Sequence, residues 1–345
     1  MQAILGWNKG ILYMNQELQQ YQFGMDFSAV PPMPEDLAGL PQFYADFKDL
    51  LALERDKIKQ FHRDGAGGRE VIQANTSLID SVLRHIIEAL ASRGKSSPEV
   101  LLEEFSLIAV GGYGRGELNP FSDVDLLFLR PKNIRRATDL VIQDSIPTFW
   151  GLGLEIGQSC RTLQECLLLA EEEITIKTSM IETRFLIGNQ SKYEKFFQSI
   201  EKNALRKNIK GFLDAKAEEK ALRYKSGAGP SSDPEPNVKE GVGGLRDYHT
   251  ALWAVAVRFQ CLSFREIPRD DIISSEELDI LNRSVDFTLR VRNELHYLKN
   301  KKQDVLARDL QKDVSANLGY KERNEVLRVE QFMRDYFLHA TNIHQ

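Results

Sequence analysis

Two aspartates follow a glycine-rich segment with a spacing that suits metal chemistry. Asp123 and Asp125 lie two residues apart at the start of an apolar run. On a β-strand this spacing places both carboxylates on the same face. Two such carboxylates can share a pair of Mg²⁺ ions roughly 3.5–4 Å apart, an arrangement that catalyses in-line phosphoryl chemistry. A third carboxylate on a neighbouring strand would complete the site, and Glu155 is our candidate.

The glycines before this pair do not fit the two best-known phosphate-binding patterns. A dinucleotide fingerprint counted from Gly112 requires a glycine where the chain has Glu117. A Walker loop requires Lys and then Ser or Thr after its last glycine, whereas Gly116 is followed by Glu117 and Leu118. Gly111 and Gly112 instead end an apolar strand, where backbone N–H groups can approach phosphate oxygens. A short helix starting there would add a favourable dipole for an anion.

The specificity of this signal comes from the combination of features. An Asp-x-Asp pair alone is common by chance in a chain with this many acidic residues. The alternative interpretation is a glycine hairpin followed by solvated carboxylates at the start of a strand. Because the strand, the glycines and the second apolar strand occur together, we take a metal–nucleotide site as the working hypothesis.

The surrounding sequence predicts a small mixed sheet with helical regions on both sides of it. The predicted strands are 105–110, 123–129 and 153–157, and the main predicted helices are 43–63, 70–90, a stretch within 134–150, and 276–299. These patterns predict an α+β fold with three domains at 1–95, 96–190 and 191–345. Residues 226–236 are rich in Gly, Ser and Pro and form either a mobile loop over the site or a disordered connection.

Composition excludes several classes of protein. The chain has 345 residues with a formal net charge of −5, which disfavours tight sequence-independent binding to nucleic acid. No apolar stretch approaches the roughly 20 residues needed to cross a bilayer, and the N-terminus lacks the pattern of a secretory signal. The three cysteines lack zinc-ligand spacing, and we expect them to be buried in a reducing compartment. We therefore expect a cytoplasmic protein that binds neither membranes nor nucleic acid.

Three blocks of sequence resemble a known family. Residues 110–129, VGGYGRGELNPFSDVDLLFL, resemble the nucleotidyltransferase signature of the bacterial protein-PII uridylyltransferases, members of the polymerase-β-like superfamily. Residues 235–247, EPNVKEGVGGLRD, resemble a second segment of that family. Residues 292–296, with 309–311 and 318–320, resemble its helical domain. The resemblance implies a polymerase-β-like nucleotidyltransferase core at 96–190, flanked by a helical N-terminal segment and a helical C-terminal domain that binds nucleotide and substrate.

The resemblance also implies a reaction. UTP would donate its uridylyl group to a tyrosine hydroxyl of the PII nitrogen-regulatory protein, with release of pyrophosphate. Asp123 and Asp125 would hold two Mg²⁺ ions, one acting on the α-phosphate and the hydroxyl and the other on the leaving pyrophosphate. Gly111 and Gly112 would bind the triphosphate, with Ser122 as a further phosphate donor. Glu155 would act as a metal ligand or as a base.

The second block allows two interpretations. Lys239 and Arg246 can neutralise the charge of a triphosphate, whereas Asn237 and Asp247 offer the polar groups that a base or ribose needs. In the alternative, the three glycines of the block make a tight turn, and Arg246 and Asp247 cap the next helix. Arg115 presents a similar choice, because it can contact a phosphate or pair with Glu117.

The sequence is also compatible with other functions. One alternative is an adenylyltransferase that acts on another protein or a small acceptor, and another is a catalytically silent nucleotide-binding module. Members of the family usually continue into a phosphohydrolase domain of the His-Asp type and into paired glutamine-sensing ACT domains. The chain has no His-Asp doublet. We therefore expect transfer without reversal and without glutamine control in this polypeptide.

Overall fold

A four-stranded mixed sheet carries the predicted aspartates. The computed structural model describes residues 25–93, 96–225, 233–267 and 272–345. The strands are β1 (Ser106–Val110), β2 (Val124–Leu129), β3 (Ile156–Arg161) and β4 (Thr183–Gly188), in the spatial order β3-β2-β1-β4. Strand β1 runs antiparallel to both of its neighbours, whereas β2 and β3 are parallel. The predicted α+β fold class is confirmed.

The part of the chain that the structure describes also contains thirteen α-helices. They are α1 (Leu40–Arg63), α2 (Gly68–Ser92), α3 (Pro98–Leu102), α4 (Gly111–Gly114), α5 (Arg136–Gly151), α6 (Leu163–Glu172), α7 (Ile174–Ile181), α8 (Gln190–Ile200), α9 (Ile209–Lys225), α10 (Leu245–Phe259), α11 (Ser275–Lys299), α12 (Arg308–Asn317) and α13 (Glu325–His344). None of the described helices contains an apolar stretch long enough to cross a bilayer.

Both faces of the sheet are buried, which explains why its inner strands are apolar over most of their length. Leu107 and Phe128 face the core shared with α1, α2 and α5. Their neighbours Ile108 and Leu127 face the opposite core, which includes Trp253 from α10. Successive side chains of a strand alternate between the two faces, so one short run supplies both cores.

The N-terminal helices and the C-terminal helical region meet at one close approach. A Cβ atom at Gly68, the first residue of α2, would lie 2.3 Å from the backbone oxygen of Asp286 in α11. Helix α11 then packs with α12 and α13 around Val291, Leu295 and Phe332. Helix α2 therefore contacts both the sheet and the helical region, and the predicted boundaries at residues 95 and 190 stay a prediction.

The structure differs from the sequence prediction in four places. The third strand begins at Ile156 rather than at residue 153, because Gly153 occupies a positive-φ turn (φ +77°). Strand β4 was missed, since its six residues lie between two helices. Asp123 lies just before β2 rather than within it. Cys160 is exposed, contrary to expectation, whereas the other two cysteines are buried.

Residues 1–24 and 226–232 lie outside the described residues. The predicted alternatives for residues 226–236, a mobile loop over the site or a disordered connection, therefore concern a segment that mostly lies outside the described residues.

A buried ion pair joins α2 to β4 and to the glycine segment. Arg184 is 2% exposed, and its guanidinium donates to both carboxylate oxygens of Asp80, at 2.5 and 2.9 Å. The hydroxyl of Tyr113 in α4 donates to the same carboxylate at 2.6 Å. A buried guanidinium requires such a partner because the desolvation cost of an isolated charge is large.

We expect the Asp80→Asn substitution to destabilise the protein by about 3–5 kcal/mol, because it leaves the Arg184 charge buried without a counter-ion. Denaturant unfolding followed by circular dichroism measures this loss. Asp49 is exposed on α1, so the matched Asp49→Asn variant should stay within about 0.5 kcal/mol of the wild type. A loss below 1 kcal/mol for Asp80→Asn would contradict the assignment.

Buried and half-buried histidines make the stability of the fold depend on pH. Burial lowers the pKa values of His85, His249, His296 and His339. In the unfolded chain these groups titrate near a pKa of about 6.5. Below that pH the unfolded chain therefore binds more protons than the folded protein does, which destabilises the fold.

We expect the free energy of unfolding to fall as the pH is lowered from about 7.5 to about 5.5. Urea titrations at a series of pH values measure the slope, and the His249→Gln variant should show a shallower one. A stability that is flat or rises over this range would contradict the burial of neutral histidines.

Candidate active site

A cleft of about 320 Å³ lies where the glycine segment and β2 face the helical region. Eight of the residues singled out from the sequence line it: Gly111, Gly112, Arg115, Ser122, Asp123, Asp125, Lys239 and Arg246. The helical region adds further polar residues, among them Lys216, Trp253, Arg292 and Lys302. Two distant segments of sequence therefore meet in a single cleft.

The carboxylate of Asp125 lies in a space between two glycines. Asp125 pairs with Gly157 across the parallel strands β2 and β3. A Cβ atom at Gly157 would lie 2.2 Å from Oδ1 of Asp125, and one at Gly111 would lie 3.6 Å from its Oδ2. A side chain at position 157 would collide with the carboxylate. Gly111 also has a positive φ of 63°, which side chains with a Cβ rarely adopt.

The electrostatics of the two aspartates differ. Burial raises the pKa of Asp125, and the nearby charge of Asp123 raises it further. The carboxylate of Asp123 accepts a hydrogen bond from Nζ of Lys302 at 2.8 Å, which lowers its pKa. A second cation beside Asp125 would relieve the repulsion between the carboxylates.

This pair of carboxylates fits a magnesium site. Mg²⁺ is commonly bound by one or two carboxylates together with substrate phosphates and water. Within the described residues, no group of three His, Cys, Asp or Glu side chains has the geometry of a metal site. Asp123 and Asp125 stay the predicted metal ligands, and phosphate and water oxygens would complete the coordination of an ion bound there.

Glu155 lies next to the aspartates but outside the cleft lining. It immediately precedes β3, and its backbone oxygen accepts a hydrogen bond from the N–H of Val124 at 2.9 Å. Its side chain is exposed and interacts with that of Asp123, which lowers the pKa of Asp123. Its role as a ligand or base stays a prediction.

Arg115 is held by two carboxylates. Its guanidinium donates to Glu117 at 2.8 Å and to Glu182 at 2.5 Å. Pairing with Glu117 was one of the two interpretations from the sequence, and the second partner, Glu182, was missed because it lies 67 residues away. His249 and Trp253 of α10 also bond to these two carboxylates, so this network joins the glycine segment to the helical region.

The second block forms a tight turn with two residues that face the cleft. Asn237 accepts hydrogen bonds from the backbone N–H groups of Lys239 and Glu240 at 3.0 and 2.8 Å. Asp247 is buried and accepts from Arg223 at 2.7 Å and from the N–H of Gly243, also at 2.7 Å. Asn237 and Asp247 are absent from the cleft lining, so these contacts hold the turn, and their predicted roles toward a base or ribose stay predictions.

Arg246 and Lys239 differ in their partners. Arg246 forms an ion pair with Glu240 at 2.9 Å, and its guanidinium lies 5.4 Å from the ring centroid of Trp253. Lys239 has no carboxylate within ion-pair distance among the described residues, and burial lowers its pKa. An ammonium group in this position favours the binding of an anion.

The helical region also contributes cations from outside the second block, and these were not predicted from the sequence. Lys302 follows α11, Arg292 lies within it, and Lys216 lies on α9. Arg292 belonged to a block recognised by resemblance, but no spacing pattern linked any of the three to Asp123. The fold brings these three side chains into the cleft that Asp123 lines.

Two models of known protein families match the two parts of the chain that line the cleft. The family model described as GlnD PII-uridylyltransferase matches residues 211–345, and the model of the nucleotidyltransferase domain matches residues 83–208. The boundary between the two matched regions lies at the start of α9, so one region supplies each side of the cleft.

Curated relatives match most of the chain. A protein of Rhodospirillum rubrum is 31% identical over 94% of this chain and 36% of its own length. A protein of Cereibacter sphaeroides is 36% identical over 80% of this chain and 30% of its own length. A protein of Phenylobacterium zucineum is 33% identical over 86% of this chain and 32% of its own length. All three are named bifunctional uridylyltransferase/uridylyl-removing enzyme.

The chain spans about a third of the length of these relatives. The matched segments include the glycine segment, both aspartates and the turn that carries Lys239. The resemblance seen in the sequence is thereby confirmed. The chain belongs to the family of the PII uridylyltransferases, of which it carries the nucleotidyltransferase domain and the helical region that follows it.

Proposed function

We propose that this chain is a cytoplasmic, Mg²⁺-dependent nucleotidyltransferase that transfers UMP from UTP to a tyrosine of the PII nitrogen-regulatory protein and releases pyrophosphate. The observation that carries the proposal is the cleft in which Asp123 and Asp125 face Lys239. Carboxylates on one side suit divalent cations, and on the other side an ammonium that has no carboxylate within ion-pair distance among the described residues suits phosphate oxygens. The family membership favours UTP as the donor and PII as the acceptor.

The charges of the cleft suit a polyphosphate. Six of its lining residues are Lys or Arg, although the whole chain carries a net charge of −5. Four of these cations form ion pairs with carboxylates other than the two aspartates, and these are Arg115, Lys216, Arg246 and Arg292. Each ion pair holds its cation in place, so the N–H groups of these side chains need little rearrangement when a triphosphate binds.

Each of the cleft residues would have a different role in the transfer reaction. Asp123 and Asp125 would hold the divalent metal, which when bound would polarise the α-phosphate and lower the pKa of the attacking hydroxyl. Lys239 would bind phosphate oxygens and stabilise the charge of the leaving pyrophosphate. The tyrosine oxygen forms a bond to the α-phosphorus as the bond to the bridging oxygen of the β-phosphate breaks. Glu155, beside Asp123, is our candidate to accept the hydroxyl proton.

We expect label from α-labelled UTP to appear on purified PII in the presence of Mg²⁺, and the Asp125→Asn variant to reduce this rate by about a thousandfold or more. The substitution removes the ligand charge but keeps the size of the side chain. The exposed Asp49→Asn variant is the matched control and should keep full activity.

Each alternative function gives a different outcome in this assay. Label from ATP alone would overturn the uridylyl assignment and keep the transfer chemistry. Nucleotide binding without label on PII, in both the wild type and Asp125→Asn, would contradict the proposal and favour a silent nucleotide-binding module or another acceptor.

We expect the Lys239→Met variant to raise the KM for UTP by about 10–100-fold, since a charge-assisted hydrogen bond to phosphate contributes about 1.5–3 kcal/mol. Steady-state kinetics over a UTP series measure it. Lys195 is exposed on α8, so Lys195→Met removes the same charge at a distance and should leave KM unchanged. An unchanged KM in Lys239→Met would exclude Lys239 from nucleotide binding.

A further inference from the structure

Lys302 occupies a place beside Asp123 that a metal ion would also need. Its ammonium nitrogen lies 2.8 Å from Oδ2 of Asp123, and both side chains are nearly half exposed. An exposed pair of this kind contributes only about 0–1 kcal/mol to stability. The contact can therefore be broken at little cost when a stronger competitor for the carboxylate binds.

The backbone that carries Lys302 is anchored, so only its side chain needs to move. Asp304, two residues on, accepts a hydrogen bond from Nε of Arg292 at 2.7 Å. Its backbone oxygen accepts from the N–H of Val238 at 2.8 Å, and Val305 forms a β-bridge with Asn237. A lysine has a flexible four-carbon stem, so its ammonium can change partners while this backbone stays in place.

The charges around the aspartates give the direction of such an exchange. Asp123 and Asp125 repel each other, which contributes to the raised pKa of Asp125. In the structure Lys302 is the cation bonded directly to this pair, and Lys239 acts on both aspartates from farther away. A divalent ion at Asp123 would repel the Lys302 ammonium. Phosphate oxygens arriving in the same cleft would attract it.

We propose that Lys302 is an exchangeable counter-ion that neutralises Asp123 in the nucleotide-free protein and moves to phosphate oxygens when the metal–nucleotide complex binds. Lys302 then opposes the binding of a free divalent ion but favours the binding of the same ion together with a triphosphate. The metal consequently enters as the nucleotide complex. The second half of this inference rests on the function proposed above, whereas the first half needs no nucleotide.

Binding of Mn²⁺ measured by electron paramagnetic resonance tests both halves without catalytic turnover. The full chain is titrated with Mn²⁺ alone, and then with Mn²⁺ together with the α,β-methylene analogue of UTP, which cannot transfer its nucleotidyl group. The variants are Lys302→Ala, Lys302→Arg and Lys301→Ala. Lys301 is the exposed neighbour of Lys302 and does not line the cleft. It controls for the loss of one positive charge near the site.

We expect opposite effects on the two affinities in Lys302→Ala. Free Mn²⁺ should bind about tenfold more tightly, because the competing ammonium is gone. The complex of Mn²⁺ with the UTP analogue should bind about tenfold more weakly, because a phosphate contact is lost. Lys302→Arg should stay close to the wild type in both titrations, and Lys301→Ala should change neither by more than about twofold.

Several outcomes would overturn the inference. Two affinities that fall together in Lys302→Ala would indicate a structural role, and two that stay unchanged would exclude any role in binding. Equal effects of Lys301→Ala and Lys302→Ala would assign the change to net charge alone. Absence of Mn²⁺ binding in every protein would also overturn it. If free Mn²⁺ binds more tightly to Lys302→Ala while no protein binds the UTP analogue, the proposed function fails and the counter-ion role at Asp123 stands.

Discussion

The buried pair between Asp80 and Arg184 is the constraint on which the geometry of the active site depends. It connects α2 to β4, and the hydroxyl of Tyr113 bonds to the same carboxylate. Tyr113 lies two residues after Gly111, so the pair fixes the glycine segment against the sheet. Gly111 in turn borders the carboxylate of Asp125. An interaction on the far side of the glycine segment thus sets the surroundings of the predicted metal ligand.

The active-site aspartates combine a steric requirement with an electrostatic one. A Cβ at position 157 would overlap the Asp125 carboxylate as it lies in the structure, so glycine leaves that orientation of the carboxylate free. This close packing buries Asp125 and raises its pKa, whereas Asp123 stays exposed enough to contact Lys302. The two carboxylates are therefore unequal before any ligand binds. Asp125 is held by the fold, and Asp123 is the one whose partner can change.

The sequence predicted the parts of the site that depend on local pattern. Asp123, Asp125 and the glycines belong to one short run, and their spacing along consecutive strands determines which groups can meet. Sequence reasoning could not find Glu182 or Lys302, because no periodicity links positions so far apart in the chain. The third strand was also predicted too early, since the alternation of apolar residues at Leu152, Leu154 and Ile156 continues through the positive-φ turn at Gly153. Chain reversals and long-range ion pairs were thus the features that only the fold could supply.

The distribution of charge across the cleft explains why both regions are needed for the proposed reaction. The sheet supplies the carboxylates, whereas the helical region supplies Lys239, Arg292 and Lys302. Each side of the cleft carries charges of mainly one sign, which repel one another. The contact between Lys302 and Asp123 reduces this repulsion on both sides. A metal–triphosphate complex carries charges of both signs and can replace that contact on each side at once. Its metal would face the sheet and its phosphates the helices, so the charge pattern of the cleft favours one orientation of the proposed nucleotide.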